Sequence, residues 1–246
     1  MRYWCVVLLS CAAVAGWAQS SAPVRPEVAR QLNEANEMRR QGRYNEAERI
    51  LLAAARDGAA GMEQAVILSD LGVHYTTVGR YGDGEQTLKR AIRILKKLPG
   101  ADAEQVLINV TLDLAVVYID LNRSREAEKL DLHRLLATLH HPEDRARAKT
   151  MLAALASSRG KFEEAERLYN ELLAFWMEPV RVERCRPAIA TALNNLGVLA
   201  LWQGRTETAR ERLERSFEIW RTLEGPAGPG RMRSMANVAS VYMEAK

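Results

Sequence analysis

Cys185 stands between Arg184 and Arg186, an arrangement in which cationic neighbours can stabilise a thiolate. A nucleophilic thiol also needs a base, and no residue beside it completes a Cys–His pair. The sequence therefore reads as an inert thiol. The run His140-His141-Pro142-Glu143-Asp144 contains metal-ligand types. Adjacent side chains diverge and Pro142 interrupts any regular spacing, whereas zinc needs convergent ligands. This run is expected to be a polar loop. Gly79, Gly82 and Gly84 have the look of a phosphate-cradling loop but follow no strand. Neither a Gly-x-x-x-x-Gly-Lys-Ser/Thr loop, nor a Gly-x-Ser-x-Gly elbow, nor a His-Glu-x-x-His helix is present. His74 and His133 are isolated on helical stretches. No catalytic, cofactor-binding or metal-binding residue is assigned, and the expectation is a protein that is not an enzyme.

The elements that would hold these residues recur at a spacing of roughly forty residues, the mark of a repeat architecture. Turn residues stand at Gly42, Gly79, Asn122, Gly160 and Gly204, with Lys246 in the same register. Seven residues before each lies a small residue: Ala35, Gly72, Ala115, Ala153, Gly197 and Ala239. Four before lies Met38, Tyr75, Tyr118, Ala156, Ala200 or Tyr242, and eight before lies Glu34, Leu71, Leu114, Leu152, Leu196 or Val238. Offsets of three, four and seven place these residues on one helical stripe. The small residue admits a second helix closely, and that helix presents its own, Ala47, Gly84, Ala127, Ala165 or Ala209. Gly, and next Asn, suits the left-handed cap that ends the first helix. No stretch reads as a strand, so the fold class is expected to be all-α.

These motifs resemble the tetratricopeptide repeat (TPR) family over roughly residues 28 to 246. The run Ala192-Leu193-Asn194-Asn195-Leu196-Gly197 is similar to the subclass with longer repeats found in kinesin light chains. The resemblance implies antiparallel helix pairs stacked as a right-handed α-solenoid. Five pairs are expected at about 28–58, 62–98, 102–141, 143–178 and 187–224, followed by a single helix at 231–245. Pro99-Gly100, Pro142, Pro179 and the run from Gly225 to Gly230 punctuate them. The third repeat departs from the pattern at Asn122, Ser124, Asp131 and Arg134.

The resemblance also implies that first helices line a concave groove for a peptide or protein. Carried over position by position, the candidate contacts are Asn33, Asn36 and Arg40 in repeat one, and Asp70 and Thr77 in repeat two. Asp113 and Asp120 follow in repeat three, then Asn194, Asn195 and Trp202 in repeat five, and Asn237 in the last helix. Asn33, Asn195 and Asn237 share one repeat position, where an amide can donate to and accept from a peptide unit. Asn there serves packing between repeats equally well. Trp202 is the expected anchor, because an aromatic buries a large area.

Arg2, the apolar run Tyr3 to Val14 and Gly16-Trp17-Ala18 have the parts of a secretory signal peptide, cleaved after Ala18. The run is short of the ~20 residues of a span, so contact with a membrane is expected only in transit. Leu8-Leu9-Ser10-Cys11 faintly resembles a lipoprotein box. Residues 19–27 would be a tether. Loss of Arg2 takes the formal charge from +4 to +3, and the interspersed signs do not indicate nucleic acid. The expected location is periplasmic or secreted. In the last helix, Met235, Val238, Ala239 and Tyr242 are expected to face repeat five, leaving Val241 and Met243 pointing elsewhere. Residues 231–246 are then either partly exposed, or a surface for self-association or docking.

Overall fold

The computed structural model describes residues 24–244, and among these every regular element is a helix. The expected signal peptide at 1–18 lies outside the described residues. The helices run in antiparallel pairs. Pro26–Arg40 (α1) pairs with Tyr44–Arg56 (α2), and Gly61–Thr77 (α3) with Tyr81–Leu95 (α4). Ala101–Asp120 (α5) is followed by two short helices, Ser124–Glu128 (α6) and Leu132–Thr138 (α7). Pro142–Ser158 (α8) pairs with Phe162–Trp176 (α9), and Arg186–Trp202 (α10) with Thr206–Leu223 (α11), before Pro229–Glu244 (α12). The all-α class and its helix pairs are those the repeat pattern implied.

The described residues form two compact units that meet in sequence at Leu121 and Asn122. The division falls in the repeat that departs from the pattern. There Asn122 takes the left-handed conformation, at φ 55°, in the place that glycine holds in the other repeats. Its second helix is broken at Asp131, also left-handed at φ 48°, whose carboxylate caps the backbone N–H of Arg134. An aspartate in this conformation stops one helix and starts the next, so the broken helix follows from its residue type.

The regular turns share one closure. Arg43, Arg80, Lys161 and Arg205 each donate their backbone N–H to a carbonyl five residues back, at 2.8–2.9 Å. The preceding glycine of each supplies the positive φ this closure needs. Second helices bury a single stripe, such as Ala209, Leu213, Ser216 and Trp220 on α11. By contrast α10 is buried on all sides from Ile189 to Leu201, as a helix covered by α9, α11 and α12 must be. Small residues set the closest approaches. A Cβ built on Gly72 would stand 2.7 Å from Leu88 Cγ, and one on Gly197 would stand 2.6 Å from Leu213 Cγ.

The orientation of α12 differs from the sequence expectation. Gly230, Ser234, Asn237 and Val241 are its buried residues, and Val238 packs beside Val241 against Val198, Leu201 and Leu213. Ala239 is exposed, Met235 is 47% exposed and Tyr242 49%. The reason lies in the repeat itself. The positions four and seven before a turn face the second helix of the same repeat, and no described helix follows α12 to cover them. Gly230 fits directly against the indole of Trp220, which fixes where α12 begins on α11.

Candidate functional site

In the N-terminal unit, the candidate contacts on α1, α3 and α5 are partly tied to one another. Asp70 is buried and accepts from Arg39 Nη2 at 2.9 Å, while Arg39 Nη1 reaches the Asp70 carbonyl oxygen at 3.4 Å. Asn36, also buried, accepts from the same guanidinium. Ser69 Oγ donates to Asp113 Oδ2 at 3.4 Å, which links α3 to α5. Asn33 and Arg40 are exposed, Arg40 pairing with Glu37 one turn earlier. Thr77 is half-buried and donates to the Val73 carbonyl oxygen, and Asp120 is half-buried at the end of α5. Burial pushes the Asp70 carboxyl above the usual carboxylate range against the pull of the Arg39 guanidinium.

His74 lies one turn beyond Asp70 and is fully buried, with Nε2 3.9 Å from Glu48 Oε2. Neither ring nitrogen has a hydrogen-bond partner. Burial lowers its pKa from 6.5 to about 4, with Arg39 and Arg80 adding to the fall and Glu48 opposing it. The folded state thus holds His74 neutral at pH values where the unfolded chain already binds a proton. Stability contributed this way is complete above pH 6.5 and is lost as the pH falls towards 4. Urea unfolding at pH 7 and pH 4.5 should show a loss of about 2 kcal/mol, taken below the full linkage value because Glu48 is partly solvated. His74→Leu should flatten that difference, and an unchanged difference would remove His74 as its cause.

In the C-terminal unit three candidate amides form one run. Asn237 Nδ2 on α12 donates to Asn194 Oδ1 on α10 at 2.8 Å, and Asn194 Nδ2 donates to Asn195 Oδ1 at 3.3 Å. All three are buried. The run ends at Asn195 Nδ2, a buried donor with no acceptor. Each amide polarises the next, so the terminal N–H is a strengthened donor. Trp202 stands at the end of α10, 37% exposed, with its ring centroid 5.8 Å from that of Phe162 on α9. The structure thus brings Asn194, Asn195 and Asn237 together and places Trp202 on an aromatic neighbour.

Models described as Tetratricopeptide repeat match residues 145–176 and 188–246. These two segments are tetratricopeptide repeats. TPR chains are protein-interaction scaffolds, a fold that is typically non-catalytic. Among solved structures, BtubC (BKLC) from P. vanneervenii is similar at 23% identity and a TM-score of 0.53, over 90% of this chain and 85% of that one. A Podosopora anserina protein named for kinesin light chain and built from nearly identical TPR-like repeats is similar at 21% identity and a TM-score of 0.51. That likeness covers 78% of this chain and 94% of the other. At these identities the likeness concerns the fold, which is that of kinesin-light-chain-like repeats. No curated protein matches the chain significantly.

The Cys185 thiol is half-buried, and burial pushes its pKa up despite Arg184 and Arg181, so it is a poor nucleophile. His141 precedes α8, and Glu143 lies 3.7 Å from Arg184. Among the described residues no group of three or more His, Cys, Asp or Glu side chains is placed to hold a metal, and no helix is long and apolar enough to cross a membrane. Gly84 lies in the close crossing of α3 and α4, against Thr76 and Gly72.

One recurring position escaped the sequence reading. Six residues after the turn stand Glu48, Glu85, Glu128 and Glu166, each reaching a residue of the following repeat. Glu48 pairs with Arg80 at 2.8 Å and Glu166 with Arg205 at 2.7 Å. Glu128 pairs with Arg159, and Glu85 accepts from Tyr118 at 3.3 Å. The recurrence of Glu in four repeats was visible in the sequence. Its partners lie 31 to 39 residues away and become apparent only when repeats are stacked.

Proposed function

We propose that this TPR protein is an exported scaffold without enzymatic activity, and that the first helices of its repeats hold an extended peptide or protein segment. The observation that carries this reading is the unmet, buried donor of Asn195 at the end of the amide run. A buried donor without an acceptor costs about 1–3 kcal/mol, and native structures seldom keep one without a use. A peptide carbonyl oxygen is the acceptor that would satisfy it without demanding a particular side chain. Trp202, part-exposed beside Phe162, supplies the apolar area that an anchor needs. Export to the periplasm or beyond rests on residues 1–18, and a mature N-terminus at Gln19 by mass spectrometry is the expected outcome.

The test is recovery of the C-terminally tagged protein from its host after mild crosslinking, followed by affinity measurement with the co-purifying partner. Trp202→Ala should weaken binding by about 2 kcal/mol with little change in melting temperature. Asn195→Ala should weaken it as well, since the bound carbonyl oxygen would lose its donor. Unaltered affinity in both variants would remove α10 from the binding site.

A second reading is an assembly role, in which α12 self-associates or docks to a larger complex. It is favoured by the exposed Met232, Met235, Tyr242 and Met243.

A further inference from the structure

The outer face of α4 carries charge of one sign. Lys89, Arg90 and Arg93 are exposed, and Lys96 and Lys97 follow, also exposed, in the turn that closes the helix. Lys96 still donates its backbone N–H to the Ile92 carbonyl oxygen, so the helical path continues through it. At about 100° per residue the five cations fall within an arc of about 120°. The opposite side of α4 is occupied by the core through Leu88, Ala91 and Leu95. Both neighbours of α4, α3 and α5, are in place, so the stripe faces outward on a completed repeat.

The other second helices neutralise their surface cations. On α9, Arg167 pairs with Glu171 at 2.6 Å, and on α11 Arg210 pairs with Glu207 and Arg221 with Glu218. On α4 only Lys89 has such a partner, Glu85 at 2.6 Å. No acid occurs from Gln86 to Ala101, and among the described residues no ion pair holds Arg90, Arg93, Lys96 or Lys97. Arg93 stands at the centre. Lys89 and Arg90 lie one turn before it, and Lys96 and Lys97 one turn after. Like charges at these spacings weaken a helix. The helix dipole favours cations in a last turn, which accounts for part of the cluster. It does not reach Lys89 and Arg90, and α9 ends with no base in its last turn.

We propose that this stripe is a docking site for an acidic segment of another protein, with carboxylates spaced to meet Arg93 and the cations one turn to either side. Carboxylates brought there relieve the mutual repulsion, and the guanidinium forks of Arg90 and Arg93 suit them in two-point contacts. The stripe spans about 12 Å from Lys89 to Lys97. Exposed acids bound it, Asp83 on the first turn of α4 and Asp102 and Glu104 on the first turn of α5. A broad anionic surface such as a membrane would meet these acids too, whereas a slender segment fits between them. The site is on a second helix. The peptide reading above uses first helices, so the two stand or fall separately.

The probe is a fluorescein-labelled, alanine-based peptide with glutamate at every fourth position, compared with its glutamine counterpart by anisotropy against the full chain. The glutamate peptide should bind saturably and the glutamine peptide should not, and added salt should weaken binding about tenfold. Arg93→Glu should weaken it about tenfold or more. The melting temperature should hold or rise, because Arg93 is exposed and its like-charge neighbours become opposite ones. Arg167→Glu, the same charge change on α9, should leave binding unaltered. Equal loss in both variants would overturn the proposal, since the attraction would then be to the charge of the whole molecule. Failure of the glutamate peptide to bind would overturn it as well. In that case, adsorption to mixed phosphatidylcholine–phosphatidylglycerol vesicles that is lost in Arg93→Glu would put a membrane in place of the protein partner. A dimer abolished by Arg93→Glu in light scattering would put a second copy of the chain there.

Discussion

Gly197→Arg should abolish cooperative unfolding of the C-terminal unit at ordinary temperatures, and even Gly197→Ala should lower its stability by about 1–3 kcal/mol. In an exposed helix interior, Gly to Ala gains about 0.8–1 kcal/mol of propensity. At Gly197 the added Cβ would stand 2.6 and 2.8 Å from two carbons of Leu213 and 3.3 Å from the Ala209 carbonyl oxygen. Leu213 is fully buried, so it has no free space to yield. The backbones of α10 and α11 must separate, which opens the contacts that Val198, Leu201 and Val241 make around them. A longer side chain such as Arg adds an unpaired charge to the same crossing. Gly82→Ala is the control. It lies on α4 with open space around its Cβ position, so it should raise stability by about 0.5–1 kcal/mol. Thermal melts and urea midpoints of the three variants check both signs. A melt for Gly197→Arg equal to that of the parent chain would show that the close helix crossing is absent in solution.

Asp70→Ala should cost about 3–5 kcal/mol, the largest loss expected from any single truncation in the N-terminal unit. The Arg39 guanidinium is buried, with Asp70 Oδ1 at 2.9 Å and the Asn36 amide oxygen as its side-chain partners. Removing the carboxylate strands a positive charge away from water. The pair itself is not a large net gain, because burial of Asp70 outweighs the pull of Arg39 and raises the carboxyl's pKa. The double variant Arg39→Met with Asp70→Leu should therefore recover most of the loss, since two apolar groups leave no buried charge unpaired and only the Asn36 amide oxygen loses its donor. The readout is the urea midpoint of the single and double variants. A double variant as unstable as the single one would mean that the pair is needed for specific packing of α1 on α3.

Both predictions concern positions identified in the sequence, yet their weight was not equally visible there. Gly197 was legible because a helix crossing tolerates only a small residue, and such a residue recurs at that place in all six copies. Left-handed Asn122 was legible for the same kind of reason, since local backbone conformation depends on residue type, whereas at Asp131 the sequence showed a departure from the pattern and the structure a broken helix. The candidate contacts were harder to read. Asp70, Asp113, Asn195 and Asn237 occupy one repeat position, but what each touches depends on residues roughly one repeat away. The sequence left peptide contact and packing open at that position. In the structure all four are buried, three of them share hydrogen bonds with a neighbouring repeat, and Asn195 alone ends with a donor unmet.

The sequence by itself determined the fold class, the repeat period, the turns and the small residues that set helix crossings. All of these follow from interactions within one helix pair, which a period of about forty residues records directly. Only the tertiary structure decided which side of α12 is buried. The stripe of Val238, Ala239 and Tyr242 is the same in sequence whether or not a second helix covers it. Without such a helix among the described residues, the contacts with α10 and α11 alone orient α12, and they draw in Ser234, Asn237 and Val241. The Glu48–Arg80 and Glu166–Arg205 ties and the Arg39–Asp70 pair were decided in the same way. Their partners come from different repeats, and stacking sets which charges meet.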